Sequence, residues 1–337
     1  MRIRFIILFL VVGVSRVLAQ GTSASQSDSL PKMIGVHHFD APTSSEPEPV
    51  QTVAPGQINW TRFGISSGIL GASVITLHIL QNNSWWANQR QPFHVYDDPV
   101  YQANFDKFGH IFGAYYTSHF FNEAYTWSGM DSAQADLLGA LSGGMYEFYV
   151  EIEDGFAHDW GFSPGDATAD LVGATFFLLR NRVDALRNFH YKWFYYPSNQ
   201  LLHGHSNIPG QTFNPIDDYG GQSYWLTFDV HRALPDGAKK YWPEWLNLAA
   251  GWGAYVTSDQ VTSSNLNGTS ITPQMEFLIG LDFDMEKIIP ESDIGILNFV
   301  RRALSYWRFP APAYRISPDS RFFILFPFQM SIGSHAH

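Results

Sequence analysis

The chain predicts an α+β protein: an apolar four-helix bundle-like domain followed by a small C-terminal antiparallel β-sheet region. Three observations carry this. Between residues 57 and 188 the sequence forms four consecutive apolar segments of helix length with short breaks between them. Beyond residue 222 the apolar period drops from helical spacing to two. Charged residues are 15% of the 337, while Phe, Trp and Tyr together reach 16%, so both regions are apolar and ring-rich.

The first nineteen residues read as a secretory signal peptide. Arg2 and Arg4 precede an apolar run from Phe5 to Val14, and Val17-Leu18-Ala19 supplies a small-residue cleavage site before Gln20. The run is near ten residues, short of the roughly 20 that an uncleaved anchor requires. Residues 20–56 are rich in Ser, Thr, Pro and Glu and are expected to form a flexible lead. The chain has no cysteine, which excludes disulfides, thiolate metal sites and a cysteine-linked lipid. A formal charge of −11 disfavours nucleic acid as a partner.

The first helix is expected over residues 60–80. Its part from 63 to 80 carries no Asp, Glu, Lys or Arg and is long enough to be a membrane span or a buried core helix. Gly64, Gly68, Gly71 and Ala72 would let another helix approach closely. A loop follows to Asp97-Asp98-Pro99, then a helix over 101–127. Ser128-Gly129-Met130 breaks it, and Asp131 or Ser132 caps the next, over 133–153. Ser163 as N-cap and Pro164 at the first helical position start a fourth, over 164–188. Four helices joined by short turns pack by default as a bundle.

Residues 189–222 read as an irregular connection, and 223–333 as antiparallel strands with a helical insert near 294–307. Leu226, Phe228 and Val230 alternate with Thr227, Asp229 and His231. Phe277, Ile279, Leu281, Phe283 and Met285 alternate with Glu276, Gly280, Asp282 and Asp284. Residues 246–256 and 322–332 fit the same pattern. These are four strands with one wet face, too few for a bacterial outer-membrane barrel. Their apolar face is expected to pack on the helices. The competing expectation is that a ring-rich face with Trp225, Trp242, Trp245 and Trp252 meets a membrane interface.

The candidate chemistry lies between Asp106 and Gly173. Asp106 and His110 stand four apart on one helix, as do His119 and Glu123. Glu147, Glu151 and Asp154 fall on one stripe of the third helix, and Asp166 and Asp170 on the fourth. Two readings stay open. In one, Asp106, Lys107, His110, Glu147, Glu151, Asp154, Ser163, Asp166 and Asp170 form an interhelical polar network that holds the bundle together. In the other, Asp106, His110 and Glu147 are catalytic, and Glu147, Glu151, Asp154 and Asp170 bind a divalent metal, in a hydrolase acting on an envelope lipid or wall precursor. No cofactor signature is evident. His203, His205, His335 and His337 are expected to be solvated histidines. The sequence lacks a P-loop, a dinucleotide fingerprint and a His-Glu-x-x-His pair.

Asp106-Lys107-Phe108-Gly109-His110, then Glu147, then Ser163-Pro164-Gly165-Asp166 with Asp170 and Gly173, resembles the YfiM-like family of uncharacterised bacterial envelope proteins, many of them predicted lipoproteins. More distantly the order is similar to VanZ-like membrane proteins, whose Asp-Lys-x-x-His helix is followed by a Glu and an Asp-x-x-x-Asn-x-x-Gly helix. Asp170 stands where that pattern has Asn. Gly280 to Asp284 resembles the extension on members from Bacteroidetes-type bacteria. The resemblance implies an exported protein, periplasmic or outer-membrane-associated in a two-membrane envelope, with membrane lipid or an envelope membrane protein as partner and no agreed activity.

Overall fold

The computed structural model describes residues 57–87, 90–96, 104–198, 215–216, 218–255 and 274–328. The expected signal peptide and lead, and His203, His205, His335 and His337, lie outside these residues. The described chain is α+β, as its periodicities predict. Four long helices, α1 (Trp60–Asn82), α2 (Phe105–Trp127), α3 (Ser132–Asp154) and α4 (Pro164–Arg182), come first. The strands β1 (Phe189–Tyr195), β2 (Gln222–Phe228), β3 (Leu246–Tyr255) and β4 (Gln274–Phe283) follow, then the helix α5 (Gly295–Leu304) and the strands β5 (Ala313–Ser317) and β6 (Arg321–Phe323).

The helix starts follow their capping chemistry. Asn59, Asp131 and Ser163 each accept from a backbone N–H three residues on, at 3.0, 3.0 and 3.1 Å. Close packing of α2, α3 and α4 follows from glycine at the crossings. A Cβ at Gly143 would come 2.5 Å from the backbone N of Ser118, and one at Gly173 would come 2.2 Å from the carbonyl oxygen of Ile111. The small residues of α1 do otherwise. Nothing lies within 4 Å of a Cβ built at Gly64, Gly68 or Gly71, so the expected close approach there is not made among the described residues. The fourth helix ends at Arg182, six residues before the expected end, and a 3-10 turn at Asp184–Asn188 leads into the sheet.

Among the described residues the sheet has six antiparallel strands in sequence order rather than the expected four. The expected irregular connection begins with β1, whose Tyr191 and Trp193 pack with Phe105, Phe112 and Tyr115 of α2. β5 is a short strand set between Pro312 and Pro318. The strand expected over 322–332 is only Arg321–Phe323 within the described residues.

The sheet curls. Lys192 on β1 donates from Nζ to Asp282 Oδ2 on β4 at 2.7 Å. Three strand spacings in a flat sheet are ~14 Å, beyond a lysine's reach. The Phe194 ring, on β1, likewise lies 5.5 Å from that of Phe326, just past β6. Inside this curl sit Phe194, Trp225, Leu278, Phe323 and Phe326 with the buried polar side chains Lys192, Thr227, Asn247, Glu276, Asp282, Arg308 and Arg315. The Arg308 guanidinium lies 3.7 Å above the Trp225 ring.

This reverses the sidedness expected from alternation. The polar positions of the strands are the buried ones, because they pair with one another inside the curl. The apolar positions face outward: α2 covers them on β1 and β2, while on β3 to β6 Leu248, Phe277 (43% exposed), Ile279 (51%), Tyr314, Ile316 and Phe322 (64%) stay exposed. Trp225 points inward and is fully buried, while Trp252 stacks on Phe108 of α2 at 5.8 Å. Leu138, Leu141, Met145 and Phe148 make a further exposed apolar row on α3.

Candidate functional site: a polar knot between three helices

One end of the bundle gathers acids, a lysine and a histidine from α2, α3 and α4. Asp106 and Asp166 occupy the first turns of α2 and α4, where the partial positive charge of a helix N-terminus favours a carboxylate. Lys107 bridges them, with Nζ 3.0 Å from Asp106 Oδ2 and 2.7 Å from Asp166 Oδ1. A Cβ at Gly165 would come 2.9 Å from Lys107 Cε, so glycine leaves the lysine its place.

His110 stands at the centre. Its Nδ1 lies 3.1 Å from Asp170 Oδ1 on α4 and 3.6 Å from Glu151 Oε1 on α3, and its Nε2 lies 3.8 Å from Asp166 Oδ1. The second oxygen of Glu151 accepts from the backbone N–H of Ser163 at 3.2 Å, the residue that also caps α4 through its hydroxyl. Glu151 and Asp170 are each 1% exposed, whereas the His110 and Lys107 side chains keep a partly open face.

The remaining predicted members sit at the margin. Glu147 is half-buried and lies against Gly113, where a Cβ would approach its Oε1 to 3.1 Å. Asp154 accepts from the indole Nε1–H of Trp86. Thus Asp106, Lys107, His110, Glu151, Ser163, Asp166 and Asp170 meet directly, with Glu147 and Asp154 beside them. The His119–Glu123 pair does not join the knot. Glu123 binds Arg302 of α5 in a two-bond fork at 2.6 Å, and His119 packs on Tyr306, ring centroids 4.6 Å apart. The expected pairing of i and i+4 neighbours gives way to pairing across helices because those neighbours point at different partners.

Excess negative charge in a dry place sets the electrostatics. Burial pushes the carboxyl of Glu151 up to about 9, against the opposing pull of His110. Burial, helped by the charge of Asp170, raises Glu147 to about 8, and burial raises Asp154 to about 7 against the Trp86 hydrogen bond. Asp170 is likewise raised by burial. For His110, burial favours the neutral ring but is outweighed by the hydrogen bond and charge of Asp170 and by the charges of Asp166 and Glu151, which hold it well above its ordinary value. Near neutral pH the knot therefore retains protons or accommodates a cation.

Sequence reasoning missed the second polar assembly, inside the sheet. There Arg315 reaches Glu276 at 3.2 Å and Asp319 at 2.7 Å, beside the Lys192–Asp282 pair. Lys192 was readable as a charge within the aromatic alternation of 189–195, and Asp282 as an acid within a strand.

Neither a curated protein nor a solved structure matches this chain. Residues 95–182, which contain the knot from Asp106 to Asp170, match the model of a family described as predicted periplasmic lipoprotein (DUF2279), and this similarity supports an exported envelope protein of an uncharacterised family.

Proposed function

We propose that the chain is an exported bacterial envelope protein embedded in a membrane, in which the polar knot clasps three helices at the edge of the lipid. The observation that carries this reading is the inverted sheet. Its charged residues are paired inside and its exposed outer face is apolar, the arrangement suited to acyl chains rather than water. The six strands among the described residues are fewer than a free-standing bacterial barrel requires, which fits a sheet partly walled by α2.

α1 supports the same reading. Among the described residues it is the one helix long and apolar enough to cross a membrane, and little of it is covered. Its C-terminal end is tied to α3: Tyr149 Oη pairs with His78 Nδ1 at 2.6 Å, and Trp86, just past the helix, donates to Asp154 at the margin of the knot. Trp85, Trp86, Tyr146, Tyr149 and Trp160 cluster at this level, as rings do where lipid meets water. The knot then lies just outside the span, where charged side chains are tolerated. The order of the Asp-Lys-Phe-Gly-His, Glu and Asp-x-x-x-Asp-x-x-Gly elements supports the likeness to YfiM-like and VanZ-like proteins. The sequence has no cysteine to carry a lipid, so attachment here rests on apolar surface.

Fractionation tests the reading. The protein is expected to stay in the membrane pellet through high salt and alkaline carbonate and to be released by detergent. Release into the soluble fraction by salt alone would overturn it.

A further inference from the structure

The knot has more acids than its two cations neutralise, and the geometry of three of its groups is that of a ligand set. We propose that His110 Nδ1, Glu151 Oε1 and Asp170 Oδ1, one from each of α2, α3 and α4, bind a divalent transition-metal ion of the zinc type, leaving a fourth position open to water.

The distances carry this. A tetrahedral ion with nitrogen and oxygen ligands at about 2.0–2.2 Å has edges of roughly 3.3–3.6 Å. The two edges that meet at His110 Nδ1 are 3.1 and 3.6 Å, and the three ligand atoms lie within 4.8 Å of one another. Closing the set onto an ion needs adjustments of tenths of an ångström along the two edges at His110 and a side-chain shift of at most about 1.5 Å between the two carboxylates. Asp170 adds an independent sign. The residue is 1% exposed and His110 takes its Oδ1, yet its Oδ2 has no hydrogen-bond partner, an uncommon state for a buried carboxylate oxygen.

The surroundings are those of a metal-bound histidine. With Nδ1 on the ion, Nε2–H points toward Asp166 Oδ1, 3.8 Å away, the carboxylate–histidine–metal relay that fixes ring orientation. Lys107 holds Asp166 from the other side at 2.7 Å. The Ser163 backbone N–H holds the second oxygen of Glu151, leaving Oε1 for the ion. The donor set of one imidazole and two carboxylates suits zinc, manganese or iron(II) better than the all-oxygen preference of magnesium or calcium. The partly open face of His110 gives the ion and a fourth ligand access. This site is independent of the membrane reading, since it needs only the three helices.

The test uses the full chain in detergent, stripped with chelator and titrated with Zn²⁺ by calorimetry and with Co²⁺ by visible absorption. One ion per chain is expected, with the intense bands of four-coordinate cobalt. Asp170→Asn and His110→Gln should abolish the bands, and Asp166→Asn should weaken binding about 10–100-fold. A chain in which His203, His205, His335 and His337 are all alanine should keep the site. Circular dichroism separates a lost ligand from a lost fold, and the milder Asp166→Asn variant covers the case in which the ligand variants do not fold. The absence of saturable binding would overturn the proposal, and so would binding that survives in folded Asp170→Asn protein or vanishes with the four histidines.

Discussion

Lys192 on β1 and Asp282 on β4 form a fully buried ion pair, Nζ to Oδ2 2.7 Å, across three strand spacings of a curled sheet. Nζ also donates to the carbonyl oxygen of Phe283 at 3.0 Å. The pair therefore closes the curl from inside.

A buried pair is most costly when half of it is removed. Lys192→Ala leaves Asp282 charged in a dry interior and is expected to destabilise the fold by about 3–5 kcal/mol. Lys192→Met with Asp282→Leu should recover most of that, because neither side chain then requires a counter-ion. Chemical denaturation of the three chains in one detergent measures both. Equal losses in the single and double variants would show that the pair does not close the sheet.

The helices were legible because each is an apolar segment bounded by a chemical signal: Asp131 before α3, and Ser163-Pro164 before α4. The knot's membership was legible for the same reason, since acids stand out where charge is scarce. Its pairing was not. Spacing along one helix places Asp106 beside His110, but the carboxylate hydrogen-bonded to His110 is Asp170, sixty residues on. β1 was hidden because it follows the fourth helix after only a 3-10 turn, with no glycine or proline to mark its start. Sheet sidedness could not be read at all. Period two separates two faces without saying which one meets solvent, and pairs such as Arg315–Glu276 that make the polar face suitable as an interior join positions far apart in sequence.

His119 provides a pH prediction separate from the knot. It is buried on α2 against Tyr306, with Arg302 and Arg180 nearby, and one ring nitrogen, Nε2, has no hydrogen-bond partner. Burial, and then the two guanidinium charges, lower it to about 3. The unfolded chain therefore binds this proton first, near the ordinary histidine value. The stability associated with neutral His119 is present above about pH 6.5 and is lost as pH falls toward 3, amounting to ~2 kcal/mol by pH 5. Burial-raised carboxyls such as Glu151 act in the opposite sense, so the comparison must be with a variant. His119→Leu should lose about 2 kcal/mol less stability than wild type between pH 7 and pH 5. Parallel pH profiles would refute the assignment.

The outer face of β3 to β6 allows the membrane reading to be tested at single residues. Phe277 and Ile279 lie on neighbouring outward positions of β4, both exposed and both apolar. If acyl chains cover them, an arginine there costs about 2–4 kcal/mol near the bilayer midplane and less toward its edges. Phe277→Arg with Ile279→Arg should then reduce the membrane-integrated fraction, while Tyr241→Arg, at a more exposed position on the turn before β3, should leave it unchanged. If water covered the face, the same double variant would improve solubility and leave membrane integration as it was. The two environments thus give opposite signs for one pair of substitutions, because a guanidinium is stabilised by water and penalised by lipid.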